Sequence, residues 1–207
     1  MATPSHSVLE RTLQVLEGEV GRRLVHASGA ILPALYLIGL LSWQHVMGLF
    51  VLGTAVVLVL EWLRLSGVLE LWVHRHLTRE YEQDTIAGYV LYMLSATVVV
   101  VLFTPSVAVP AIFMLTLADP VSGVVSSGGL RRVKRPPALA TMFLVSTLLA
   151  APFHFSTPLA VLFGGAGAMI ADGVKLQIRG TIVDDNLTIP IVAAIAMQAG
   201  IELSALL

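Results

Sequence analysis

Three acidic positions in an otherwise apolar chain stand where chemistry would need them. Asp119 sits in Leu117-Ala118-Asp119-Pro120-Val121-Ser122-Gly123, inside the apolar run 107–127. It stands nine positions before the polar loop that begins at 128, which is a depth of about 13 Å at 1.5 Å per residue. A carboxylate at that depth in a bilayer costs about 3 kcal/mol unless it is paired, hydrated or metal-bound. Pro120 supplies no N–H and predicts a kink that frees carbonyls beside the acid. Ser122, Gly123 and Ser126 follow at i+3, i+4 and i+7, a small polar stripe on the same helical face. The structural alternative is a kinked helix with a packed, protonated Asp and small residues that allow close helix contact.

The second position is Asp184-Asp185-Asn186-Leu187-Thr188-Ile189-Pro190, at the start of the last apolar run. Helix capping needs one of these acids, and a proline is tolerated in a first turn. Two adjacent carboxylates and an amide exceed that need. Their hard oxygens suit Mg²⁺, with nucleotide phosphates completing its shell. The third feature is cationic: Arg131, Arg132, Lys134 and Arg135 precede Pro136-Pro137 at the start of another apolar run. A helix N-terminus beside four cations would hold a triphosphate; a topology anchor or an anionic-lipid contact would look the same.

Weaker candidates surround these. Asp172, Lys175 and Arg179 fall at i, i+3 and i+7 on one predicted helical face, as an ion pair or as ligands. Glu61 and Arg64 share an i, i+3 spacing whose default is a structural pair, and Arg22, Arg23 and His26 form a basic step before the first apolar run. His74 and His76 are given no role. Acids for Mg²⁺, cations for phosphates and two helix N-termini on one side point to phosphoryl transfer, which needs positioning and charge neutralisation more than covalent catalysis. An active site sunk partway into a bilayer implies an acceptor that is itself a lipid.

The elements that must position these groups are membrane helices. The chain has 207 residues, 57% hydrophobic and 12% charged, with a mean hydropathy of +0.88. These values lie outside the range of soluble domains. Apolar runs at 24–42, 46–63, 85–103, 107–127, 138–155, 158–178 and 187–206 predict an all-α polytopic membrane protein with about seven spans. All 12 Lys and Arg fall in the N-terminal segment and in the loops 64–83, 128–137 and 175–186; the alternate connections near 43–45, 104–106 and 156–158 carry none. Basic loops stay cytoplasmic, so the N-terminus is predicted inside and the active face cytoplasmic, in a multi-pass cell-membrane protein.

The predicted division is a cytoplasmic segment, 1–23, and a single integral membrane catalytic domain, 24–207. Residues 67–83 mix apolar and charged positions at helical spacing and predict an interfacial helix. The first 23 residues lack the basic start, apolar core and cleavage site of a signal peptide. There are no cysteines, which excludes disulfides and thiolate metal sites. Neither a P-loop, nor a Gly-rich dinucleotide fingerprint, nor a His-Glu-x-x-His motif is present. No nucleic-acid partner is expected, and the oligomeric state stays open.

The residues resemble the polyprenol kinase family, which includes dolichol kinases, phytol kinases and a CTP-dependent diacylglycerol kinase. The resemblance is carried by Arg22-Arg23-Leu24-Val25-His26, Arg79-Glu80-Tyr81-Glu82, Ala118-Asp119-Pro120 and Asp185-Asn186-Leu187-Thr188-Ile189-Pro190, in that order along nearly the whole chain. It is most similar to archaeal members labelled dolichol kinase. It implies transfer of the γ-phosphate of CTP to the hydroxyl of an isoprenoid alcohol, with a divalent metal such as Mg²⁺. On this basis Asp119 matches the family's intramembrane acid, and Asp185-Asn186 its cytoplasmic-mouth motif. Mg²⁺ would bridge Asp119 and Asp185 to the phosphates. Arg131, Arg132 and Lys134 would hold the remaining charge, and Asp119 or Asp172 would take the alcohol proton; Asn186 and Lys175 are further nucleotide contacts, with Asp184, Arg23, His26 and Glu61 as lesser candidates. The chain departs from the family at Lys134-Arg135-Pro136-Pro137, where a Lys-Thr-x-Glu-Gly-Ser element is usual, and at Asp172, where Glu is common. A phosphatidate cytidylyltransferase-like enzyme and a small-solute transporter with Asp119-Pro120 as a broken-helix ion site are the alternatives.

Overall fold

The computed structural model describes residues 26–68, 85–126, 133–174, 177–178 and 181–207, with 177–178 and 181–182 described by their backbone alone. The segment 1–23, nearly all of 67–83, and the candidate residues Arg23, Arg131, Arg132, Lys175 and Arg179 lie outside the described residues. A helical turn at 26–28 leads to α1 (Ile31–Leu37), α2 (Trp43–Leu65), α3 (Gly88–Leu102) and α4 (Pro105–Phe113). A π-helical segment, Met114–Ala118, joins α4 to α5 (Asp119–Val125). Then come α6 (Pro136–Ala150), α7 (Pro158–Gly173), the two-residue strands β1 (Gln177–Ile178) and β2 (Thr181–Ile182), and α8 (Asp185–Leu206). The strands pair antiparallel, Gln177 with Ile182 and Ile178 with Thr181; the rest of the described secondary structure is helical apart from a bridge between Val133 and Val174.

Local chemistry sets the helix starts. Pro105, Pro136 and Pro158 each open a helix, where a missing N–H costs nothing. Ser42 caps α2: its hydroxyl accepts from the His45 amide, and the His45 ring faces the Ser42 amide in return.

Among the described residues, three helical stretches are long and apolar enough to cross a membrane: Trp43–Leu65, Pro105–Val125 and Asp185–Leu206. This is the mark of a membrane protein. The others are apolar but shorter, with 15 residues in α3, 15 in α6 and 16 in α7. At roughly 1.5 Å per residue they are about 22–24 Å long, less than a hydrocarbon core of about 30 Å. The outward surface is as apolar as the interior, with Leu52, Trp62, Leu144, Leu148 and Ile195 all exposed. Such a surface fits lipid rather than water.

Two predicted spans are realised differently. In place of a continuous 24–42, α1 covers seven residues and ends at Gly39, whose φ of 77° is left-handed; Leu40 and Leu41 then both donate to the Leu35 carbonyl. In place of 158–178, α7 stops at Gly173 because Val174 turns extended (φ −113°, ψ 111°) and bridges Val133. The helix that carries Asp172 therefore ends one residue after it, and Lys175 and Arg179, predicted to share its face, lie outside the described residues.

Small residues let the helices that carry the acids approach closely. A Cβ on Gly167 would lie 3.0 Å from the Val192 carbonyl, and one on Gly200 would lie 2.6 Å from the Leu159 carbonyl. These contacts lock α7 against α8 in the manner of membrane helix pairs. Between α2 and α3, Thr54 and Thr97 hydroxyls lie 2.7 Å apart, and Thr97 donates to the Phe50 carbonyl. The buried core between the helices is built from Val99, Val107, Met114, Leu115, Met142, Ile189 and Met197.

Candidate functional site

Three helices bring one carboxylate each to a common point. Asp119 opens α5, Asp172 stands one residue before the end of α7, and Asp185 opens α8. One oxygen from each lies within 4.8 Å of the others. Close packing of α7 on α8 delivers the second and third of these. The first is delivered by the π segment, where the Asp119 amide bonds back to Met114, five residues earlier. The predicted disruption at Pro120 thus takes the form of a widened turn before the proline, after which the helix resumes.

Depth follows from a single hydrogen bond. Ser95 Oγ donates to the Asn186 carbonyl at 2.7 Å, with the Tyr92 carbonyl also in range at 2.9 Å. Ser95 is seven residues into α3 from Gly88, roughly 10 Å along its axis. The start of α8 is therefore level with the middle of α3, and the acids are sunk between the helices rather than set at their mouths.

The two adjacent acids have different jobs. Asp184 caps α8, accepting from the Asn186 amide at 2.9 Å. Asp185 is thereby left to face Asp119 and Asp172. Asn186 is half-buried, and its carbonyl is the Ser95 partner. Thr188 Oγ1 reaches the Ala171 carbonyl at 3.4 Å, a further tie between α8 and α7.

Asp172 has no exposed side-chain surface, and both its oxygens are engaged. Ser122 Oγ donates to Oδ2 at 2.9 Å and also lies 3.3 Å from the Ala138 carbonyl. Lys134 Nζ is hydrogen-bonded to Oδ1 and stands 3.9 Å from Asp119 Oδ1. The Lys134 amide donates to the Gly173 carbonyl at 3.0 Å, next to the Val133–Val174 bridge, so the end of the basic loop is stitched to the end of α7. Burial disfavours the Lys134 ammonium, but Asp172 and Asp119 outweigh it and hold its pKa above the ordinary 10.5. Lys134, read from sequence as a phosphate contact, is in this structure paired with Asp172 and close to Asp119. Among the described residues the three carboxylates meet beside the Lys134 ammonium, and their oxygens are a hard donor set. Around Mg²⁺, ligand oxygens at about 2.1 Å would be roughly 3–4 Å apart, so small side-chain movements would suffice.

Glu61 is not brought into this cluster. It is buried at the end of α2 and accepts from Arg64 Nε and Nη2, from the Ala87 amide, each at 2.8 Å, and from Tyr89 Oη at 2.5 Å. Arg64 also donates to the Thr85 carbonyl at 2.7 Å, so this pair clamps α2 to the approach of α3. His26 packs its ring edge-on to Tyr92, with centroids 5.1 Å apart. Sequence reasoning missed Ser95 and the Tyr89 contact to Glu61. The only signal was the presence of hydroxyl-bearing residues in an apolar run.

No protein-family description, no curated protein and no solved structure matches this chain.

Proposed function

We propose that this protein is an integral-membrane lipid kinase of seven spans, with its N-terminus and active face cytoplasmic, that transfers the γ-phosphate of CTP to the hydroxyl of an isoprenoid alcohol. The observation that carries the reading is the convergence of Asp119, Asp172 and Asp185, with Lys134, at a level well inside a bundle whose exterior is apolar. A donor set of this kind, with Asp172 buried and Asp119 and Asp185 half-buried, fits a divalent ion, and an acceptor that reaches it from the bilayer is a lipid.

Asp119 and Asp185 would hold Mg²⁺, which when bound neutralises phosphate charge and orients the γ-phosphoryl group. Asp172 fixes Lys134, because both its oxygens are already taken by Ser122 and Lys134. That engagement favours Asp119 over Asp172 as the acceptor of the alcohol proton. The lipid oxygen forms its bond to phosphorus as the bond to the departing CDP oxygen breaks, and the hydroxyl proton passes to the Asp119 carboxylate. Arg131 and Arg132, near Lys134 in sequence, would hold the remaining phosphate charge.

The test is label transfer with purified protein in detergent. γ-³²P-labelled CTP, ATP, UTP and GTP are each offered with dolichol, polyprenol, geranylgeraniol, phytol and diacylglycerol, with and without Mg²⁺. Label should enter the organic phase from CTP and disappear without Mg²⁺ or in Asp119→Asn. Release of pyrophosphate with nucleotide entering the lipid would make the protein a cytidylyltransferase instead. Absence of transfer from every nucleotide, in folded protein, would remove the kinase assignment.

A further inference from the structure

A hydroxyl buried among apolar helices is costly without a partner. Three in this bundle have none among the described residues: Ser146 Oγ on α6, and two that lie near each other. Thr116 Oγ1, in the π segment, belongs to a side chain with no solvent exposure; Tyr92 Oη, on α3, is equally buried at its tip. Gly29 lets the two converge. A Cβ at Gly29 would overlap Tyr92 Oη, 1.5 Å away, and stand 3.2 Å from the Thr116 Cγ2 methyl, so only a glycine there leaves the Tyr92 hydroxyl room beside the Thr116 side chain. The edge-on His26 ring packs on Tyr92. Thr116 precedes Asp119 by three residues, a rise of about 4.5 Å along the same helical stretch.

We infer that Tyr92 and Thr116 form the seat for the hydroxyl group of the acceptor alcohol, within one turn of Asp119; the inference rests on the lipid-kinase reading. An alcohol hydroxyl donates one hydrogen bond and accepts two, so it can donate to one of these side chains and accept from the other. A methyl ether can only accept. The seat is made of uncharged groups, which suits an alcohol and offers nothing to a phosphate. The phosphorylated product would leave it on charge grounds alone. A water molecule has the same bonding capacity, and the experiment separates the two occupants.

The full chain in detergent, without nucleotide, is titrated with geranylgeraniol and with its methyl ether, and apparent affinity is taken from the rise in Tm with ligand. The alcohol should stabilise the wild type and the ether should not. Thr116→Val and Tyr92→Phe should each weaken alcohol binding roughly three- to tenfold, the worth of one hydrogen bond. Thr116→Val, which replaces an unpaired hydroxyl with a methyl, should leave the ligand-free Tm unchanged or higher. Equal alcohol shifts in wild type and variants would move the seat elsewhere and leave the kinase reading standing. An alcohol without effect on the wild type would make this a water site and overturn the inference. A ligand-free Tm that falls by several degrees in Thr116→Val would make the hydroxyl structural and overturn it too. Alcohol binding that the variants lose, in a protein that transfers no label, would retain the seat and discard the kinase.

Discussion

Replacing Lys134 with Met removes the ammonium that stands beside Asp172 and Asp119 while keeping most of the side chain's apolar length. Asp172 is fully shielded and would be left with Ser122 as its remaining donor. Deleting one member of a buried ion pair costs about 3–5 kcal/mol, chiefly because the other charge is stranded. In a chain of 207 residues that corresponds to a fall in Tm of roughly 6–20 °C. Thermal unfolding in detergent without divalent ions measures it, alongside Asp172→Asn and the double variant. Lys134→Met with Asp172→Asn should recover most of the loss, since neither charge then lacks a partner. The contribution of the ammonium should also be flat from pH 6 to 9. A lysine whose folded pKa lies above its unfolded value contributes fully below the unfolded value, here 10.5, and loses that contribution only as pH rises through the higher folded one. A Lys134→Met protein within about 1 kcal/mol of wild type, with no recovery in the double variant, would refute the buried-pair reasoning.

Further outcomes follow from the same geometry. Asp119→Asn should lower label transfer by about a thousandfold or more while leaving membrane insertion and detergent-solubilised yield unchanged. Glu61→Ala strands the nearly buried Arg64 guanidinium and should cost about 3–5 kcal/mol of stability, with transfer per folded molecule unaffected because Glu61 lies outside the acid cluster. Gly200→Ala pushes a methyl against the backbone of Leu159 and Ala160; it should destabilise by about 1–3 kcal/mol and reduce transfer by shifting Asp185 from Asp172. The chain has no cysteine, so single cysteines report sidedness directly: Val183→Cys should react with an impermeant maleimide only from the cytoplasmic side, and Thr157→Cys only from the opposite side.

The acids were legible because charge is rare in this chain. Asp119 interrupts an apolar run, and the Asp184-Asp185 pair contains one acid more than a cap requires; the hydrogen bond from the Asn186 amide to Asp184 shows which of the two does the capping. The partners of these acids were not legible. Lys134 and Ser122 are 38 and 50 residues from Asp172, and tertiary packing alone brings them together. The pattern also set Asp172 beside Lys175, which lies outside the described residues, by continuing a helical period past Gly173, where the helix ends. Helical spacing alone does not register that Val174 is extended by its bridge to Val133. The first span was overextended for the same reason. Apolar character runs through residue 41, but Gly39 takes a left-handed conformation that ends the helix. Glu61 and Arg64 were correctly paired by spacing, whereas Tyr89 and the Ala87 amide join them only through the fold.

The π segment between α4 and α5 amounts to one surplus residue in an otherwise regular spiral. Each residue turns an α-helix by about 100°, so the surplus rotates everything downstream relative to everything upstream. Upstream, Val107, Ala111 and Met114 are buried in the core; downstream, Asp119 and Ser122 meet the other acids and Asp172. A straight helix of the same composition would have to choose between burying its apolar stripe and aiming its carboxylate. Here one added residue acts as an indexing step, letting a single membrane-length rod present two unrelated faces to its neighbours. Shortening Met114–Ala118 by one position would restore uniform pitch and swing the carboxylate about a quarter turn away, with the composition of the site unchanged.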